Sequence, residues 1–296
     1  MEELICFESQ GAPIFGVLHV PDPSVSRGTG VVVVSSRVEF RSGPHRIFVE
    51  AARRWCEAGF HVLRLDFPGM GDSPGDQTYP HMDAFPTAPP LDALRSLQRR
   101  TEVRDVVLLG NCMGARNVLF AAREEPKVRH LVLLGMPFSN ATPFYAVDQE
   151  REGARMGASV ARTTLASYLK RALRPGAWRR LFAGQSEYRV MLRALGSWLG
   201  IGRGRIFEEP IYRSLRSFFA RGGQALFVWG TQDVFLPDFQ EEFGRVRATL
   251  PNVDSLAEIA FVEGANHTFS RVRWKAEAID RVTTWLCREF PGRSTP

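Results

Sequence analysis

A chain of 296 residues with 44% hydrophobic content can form one large domain, or a domain carrying an insertion, around a sizeable core. The apolar content and a charged fraction of only 24% exclude a disordered, solvating chain. A net charge of +6 would suit nucleic acid, but no nucleic-acid motif accompanies it, so no such partner is expected.

The opening residues, Met1-Glu-Glu-Leu-Ile-Cys6, carry neither a basic leader nor a long apolar segment, and no later run reaches bilayer length. A soluble, cytoplasmic protein is expected. Residues 2–20 read as an antiparallel hairpin. Beyond them, residues 31–35, 61–65, 106–109, 130–134, 225–229 and 259–262 are short and rich in Val and Leu, as strands covered on both faces should be. Between strands, Ile47, Ala51, Trp55 and Ala58 form an apolar stripe that stops at Gly59, and Ile279, Val282, Leu286 and Phe290 form another. The pattern predicts an α/β fold, a mostly parallel, doubly wound sheet. Cys6, Cys56, Cys112 and Cys287 lie far apart without paired spacing, so reduced thiols are expected, with no metal and no cofactor.

Within this rhythm, Gly110-Asn-Cys-Met-Gly114 has the G-x-nucleophile-x-G spacing of a nucleophile elbow, with a thiol at its centre. The residues from 105 to 110 read as a buried strand, and 113–123 as a packed helix through Val118, Leu119 and Ala122. The strand–turn–helix context that the motif needs is therefore present. Asp233 falls just past the carboxyl end of the strand at 225–229, and His267 falls in the loop after the strand at 259–262. Nucleophile, acid and histidine thus occur in the chain order of an α/β hydrolase.

One interval breaks the rhythm. Roughly ninety residues separate the strand ending near Leu134 from the one starting at Ala225, more than a crossover helix requires. The expected division is a core of residues 1–137 and 223–296 with a helical cap at 138–222. That segment holds fifteen arginines and lysines against six acids, in a chain whose net charge is +6. A solvated arginine-rich surface accounts for this as well as attraction to an anionic partner does. The partners such charge would attract are a phosphopantetheine or coenzyme A arm, an acidic carrier protein, or a membrane surface touched peripherally. Residues 165–182, with Leu169, Leu173, Trp178 and Leu181 among basic residues, suit either surface.

The elbow, Asp233 and His267 resemble the α/β-hydrolase superfamily. A longer set of stretches is similar to hydrolases encoded beside bacterial exosortase and exopolysaccharide systems: Arg41-Ser-Gly-Pro-His-Arg46, Val62-Leu-Arg-Leu-Asp-Phe-Pro-Gly-Met-Gly-Asp-Ser73, the cysteine elbow, Gly264-Ala-Asn-His-Thr-Phe-Ser270, and Tyr168-Leu-Lys-Arg-Ala-Leu-Arg-Pro-Gly-Ala-Trp-Arg-Arg-Leu181. The likeness implies acyl or thioester chemistry. Residues 77–90 depart from it, being proline-rich where an acidic helix start is expected.

The chemistry expected of these residues is acyl transfer. His267 would take the Cys112 proton, and the thiolate would attack an acyl carbonyl to give an S-acyl enzyme, with Asp233 holding the imidazole. Met113 N–H is one expected oxyanion donor, and Arg37 or Val38 supplies the second. An acyl–cysteine is itself a thioester, so water, an amine, an alcohol or a carbon nucleophile could release it. Thioesterase, acyltransferase and Dieckmann-type or lactone-forming cyclase therefore stay open, as does a catalytically silent scaffold. Each residue also has a plainer role: Cys112 as core packing, Asp233 as a helix cap, His45 as a helix start beside Pro44 rather than a substrate contact. Asp66, Gly69, Gly71 and Ser73 read as a turn, Cys56 and Cys287 as packing residues. Asp148 and Glu150 are poorer candidates for the acid.

Overall fold

The computed structural model describes residues 1–36, 39–75, 86–138, 209–250 and 252–292. Eight strands form one sheet: β1 (Glu2–Ser9), β2 (Ala12–His19), β3 (Thr29–Val34), β4 (His61–Leu65), β5 (Asp105–Asn111), β6 (His130–Leu134), β7 (Gln224–Gly230) and β8 (Ala257–Val262). Their spatial order is β1-β2-β4-β3-β5-β6-β7-β8. The hairpin β1–β2 is antiparallel and joins β4 antiparallel, while β4, β3 and β5 to β8 run parallel. The expected doubly wound sheet is the fold observed.

Side-chain alternation sorts each strand between two cores. Val31 and Val33 face one side with Val62, Val107, Leu109, Val132 and Val228. Here they meet α1 (Ile47–Glu57) and α6 (Val272–Glu289), whose stripes bring Ile47, Ala51, Trp55, Ile279, Val282 and Leu286 against the sheet. Val32 and Val34 face the other side with Leu63, Leu108, Leu131, Leu133 and Phe227. That face is covered by α2 (Ala88–Arg100), α3 (Met113–Glu124), α4 (Glu209–Ala220) and α5 (Leu236–Thr249). Each fully buried Val, Leu or Phe contributes on the order of 1.5–3 kcal/mol, so burial on both faces makes the sheet a rigid base for loops at its edge.

Two stretches differ from the sequence reading. Part of the proline-rich segment is helical: Pro89 and Pro90 occupy the first turn of α2, where a missing N–H costs no hydrogen bond. Glu209–Ala220, placed by sequence within the cap, is a crossover helix, with Ile211, Leu215 and Phe218 fully buried in the core. Residues 139–208, with Leu165–Phe182, Asp148 and Glu150, lie outside the described residues. No described helix is long and apolar enough to cross a membrane.

Candidate active site

Strand order reverses at β3, with β4 on one side and β5 on the other. In an open parallel sheet the crevice beyond the carboxyl ends of such strands is where ligands bind. Cys112 sits there, between the end of β5 and the start of α3. Its backbone has φ 49° and ψ −120°, a conformation that L-residues avoid unless the surroundings enforce it. Its N–H donates to the Leu134 carbonyl at 2.8 Å. The flanking glycines permit the turn. A Cβ on Gly110 would stand 2.4 Å from the Gly114 carbonyl carbon, and one on Gly114 would stand 2.3 Å from the Val34 carbonyl oxygen. Helix α3 therefore packs onto β3 with the positive end of its dipole at Cys112.

The turn after β7 places Asp233, which is 4% exposed. One carboxylate oxygen, Oδ1, accepts from the Phe235 N–H at 3.0 Å. The other, Oδ2, meets His267 Nδ1 at 2.8 Å. Asp233 thus shapes the local turn ahead of α5 and holds the imidazole as well; the N-cap of α5 is Phe235, so Asp233 is not the helix cap. Thr231 braces the opposing loop by accepting from Gly264 N–H at 2.8 Å.

His267 is further held by the edge of the Phe235 ring, 5.0 Å away between centroids. Burial opposes its charge, yet the hydrogen bond to Asp233 and the interactions with Cys112 and the Asp233 carboxylate outweigh burial and push the imidazole up to about 10. His267 and Asp233, distant in sequence, are thereby joined by a hydrogen bond, with Cys112 near enough to act electrostatically on the imidazole. Gly135 forms its floor, with φ +53° and space for a Cβ only 3.1 Å from His267 Nδ1.

Met113 opens α3, whose first N–H groups have no partner within the helix. Arg37 and Val38, the expected second donors, lie outside the described residues. His45 stands exposed on the rim, 3.5 Å from Thr268 Oγ1, in a left-handed turn with φ 51° followed by Arg46 at φ 62°.

Several residues at this site were not singled out by sequence. Asn111, beside the nucleophile, accepts from Ser36 N–H at 2.9 Å through Oδ1 and donates to Glu39 Oε2 at 2.9 Å through Nδ2. It pins the loop after β3 to the elbow. Burial pushes the Glu39 carboxyl up, opposed by the Asn111 hydrogen bond and by the charges of His267 and His45. Further out, buried Asp66 accepts from Arg41 N–H at 2.7 Å, pairs with the Arg41 guanidinium and accepts from Asp72 N–H at 3.2 Å. Asp66 and Ser73 do build the expected turn, and Gly71 leaves no space for a Cβ beside the Asp66 carboxylate. The signal for Asn111 was its place within the elbow, and for Glu39 an acid just past the loop after β3.

The Alpha/beta hydrolase family matches residues 31–280. The chain belongs to that family. No curated protein matches it. Among solved structures, this hydrolase is similar to an esterase of Pyrococcus furiosus at 16% identity and a TM-score of 0.61, over 98% of this chain and 91% of that one. An α/β serine hydrolase of Xanthomonas campestris described as lacking a lid is 15% identical with a TM-score of 0.57, covering 100% of this chain and 97% of the other. The thioesterase domain from the curacin biosynthetic pathway is 15% identical with a TM-score of 0.56, covering 97% and 99%. At such identities the likeness is one of fold.

Proposed function

We propose that this α/β hydrolase acts on an acyl thioester or activated ester through an S-acyl intermediate on Cys112. The strained backbone at Cys112, beside an imidazole on which Cys112 acts electrostatically and which bonds to Asp233, carries the reading. His267 accepts the thiol proton and Asp233 compensates the imidazolium, while the sulfur attacks the acyl carbonyl. Charge developing on the carbonyl oxygen is met by the Met113 N–H and by a second donor, Arg37 or Val38, in the loop after β3. Collapse expels the thiol or alcohol, which takes its proton from His267, and an acceptor then releases the acyl group by the reverse sequence.

A thiolate suits thioesters and activated esters, because it leaves too readily to compete for unactivated amides. The substrate's acyl group would arrive on coenzyme A or on a carrier protein, with the positive charge of residues 139–208 drawing the anionic arm. The narrower likeness to exosortase-associated hydrolases agrees with acyl chemistry. Intact-protein mass spectrometry after incubation with acyl thioesters tests it. The acyl mass is expected on Cys112, absent from Cys112→Ala, and slow to appear in His267→Ala. No acyl mass with any thioester would instead favour a protein that binds without reacting.

A further inference from the structure

The geometry points to Glu39 as the acceptor-binding residue of this site, selecting a primary amine that arrives as an ammonium ion to release the acyl group from Cys112. This inference rests on the S-acyl reading above. Three observations converge on it. Asn111, adjacent to the nucleophile, holds Glu39 Oε2 at 2.9 Å and is itself fixed by the Ser36 N–H, so the carboxylate is oriented by the elbow rather than left to wander. Its other oxygen, Oε1, has no protein partner among the described residues. The charges of His267 and His45 both act on it, so the carboxylate lies within electrostatic reach of the imidazole.

A half-buried carboxylate in that position is unfavourable until a cation meets it. Water or an alcohol adds no charge to the partial compensation from the histidines, whereas an ammonium adds a full one and a charge-assisted hydrogen bond. The step balances as follows. The ammonium, paired with Glu39, gives one proton to neutral His267, and its nitrogen lone pair forms the C–N bond at the thioester carbonyl. The resulting N–H⁺ passes its excess proton to Glu39, the C–S bond breaks, and the sulfur leaves as a thiolate beside the His267 imidazolium. Glu39 returns its proton to water. The products are an amide, the starting thiolate–imidazolium pair and one hydronium ion.

The test offers the acetyl thioester of N-acetylcysteamine as donor, with butylamine and butanol competing as acceptors, and reads amide and ester by mass spectrometry alongside acetyl mass on Cys112. Wild-type protein is expected to form amide over ester, and Glu39→Gln to lower the amide-to-ester ratio at least tenfold, mainly through the KM for the amine. Glu39→Asp, which keeps the charge, should restore most of the ratio. The ratio is insensitive to general damage. If Glu39→Gln does not fold, the wild-type KM for butylamine should rise with salt while that for butanol does not. Acetyl on Cys112 with an unchanged ratio, or a salt-independent amine KM, would overturn the role of Glu39 alone. No acetyl on Cys112 would overturn the S-acyl reading and this inference together.

Discussion

The charge on His267 follows from two contacts, one of which can be removed without disturbing the backbone. Asp233→Asn keeps the hydrogen bond to Phe235 N–H and deletes the negative charge beside Nδ1. The imidazole, at about 10 in the wild type, should then fall, because burial is left unopposed on that side. Alkylation of Cys112 by iodoacetamide at pH 7 is expected to slow about tenfold, in proportion to the lost imidazolium partner. An unchanged alkylation rate would mean that the thiolate does not depend on this pair. The same shift has a stability consequence. A histidine raised from 6.5 contributes stability that is fully present below about pH 6.5 and is lost as pH rises through about 10, so the urea midpoint should decline over that window and Asp233→Asn should flatten the decline. Gly135→Ala tests the floor of the same pair. Its positive φ costs roughly 1–2 kcal/mol with a side chain present, and the new methyl would push on the imidazole from 3.1 Å. Turnover should fall further than the stability loss explains, read as kcat/KM against thermal midpoint.

Helices and strands set these positions, and two glycines separate tight packing from slack. At Gly114 an added Cβ meets the backbone oxygens of Val34 and Ser35 at 2.3 and 2.6 Å, and β3 is a central strand paired on both sides. Neither backbone can retreat, so Gly114→Ala should cost about 3 kcal/mol or more in urea unfolding. Gly244 lies within α5 with nothing near its missing Cβ. Gly244→Ala should instead stabilise by about 0.5–1 kcal/mol through helix propensity. The same distinction explains what could be read from sequence. The parallel strands were legible because they are buried on both faces and reduce to Val and Leu runs, and the elbow because its glycines have fixed spacing. Helix α2 was obscured by Pro89 and Pro90, which mark a helix start as readily as a loop. Asp233 and His267 were legible as residues just past strand ends. Asn111–Glu39 and Asp66–Arg41 were not, since each joins two loops that only the folded sheet brings together.

At the scale of the molecule, a buried polar series links the N-terminal hairpin to the loop that frames the site. His19, 1% exposed on β2, accepts from Arg64 Nε at 3.1 Å, Arg64 donates to the Arg41 carbonyl at 3.1 Å, and Arg41 holds Asp66. Burial and then the Arg64 charge push His19 down to about 4, and burial pushes Arg64 down to about 10. A protonated His19 could not accept from Arg64 and would place two cations together in the core. The unfolded chain takes up this proton near pH 6.5, whereas the folded chain resists it until about pH 4. The unfolded state thus binds more protons between those limits, and stability must fall as pH drops from 6.5 to 4. The full effect is on the order of 3 kcal/mol. His19→Gln can present an amide oxygen to Arg64 without titrating. Its urea midpoint should therefore depend less steeply on pH than that of the wild type between 6.5 and 4, and the two slopes should agree above pH 7. Parallel curves across the acid window would show that His19 is protonated at no cost and that the series is not what couples the hairpin to the site.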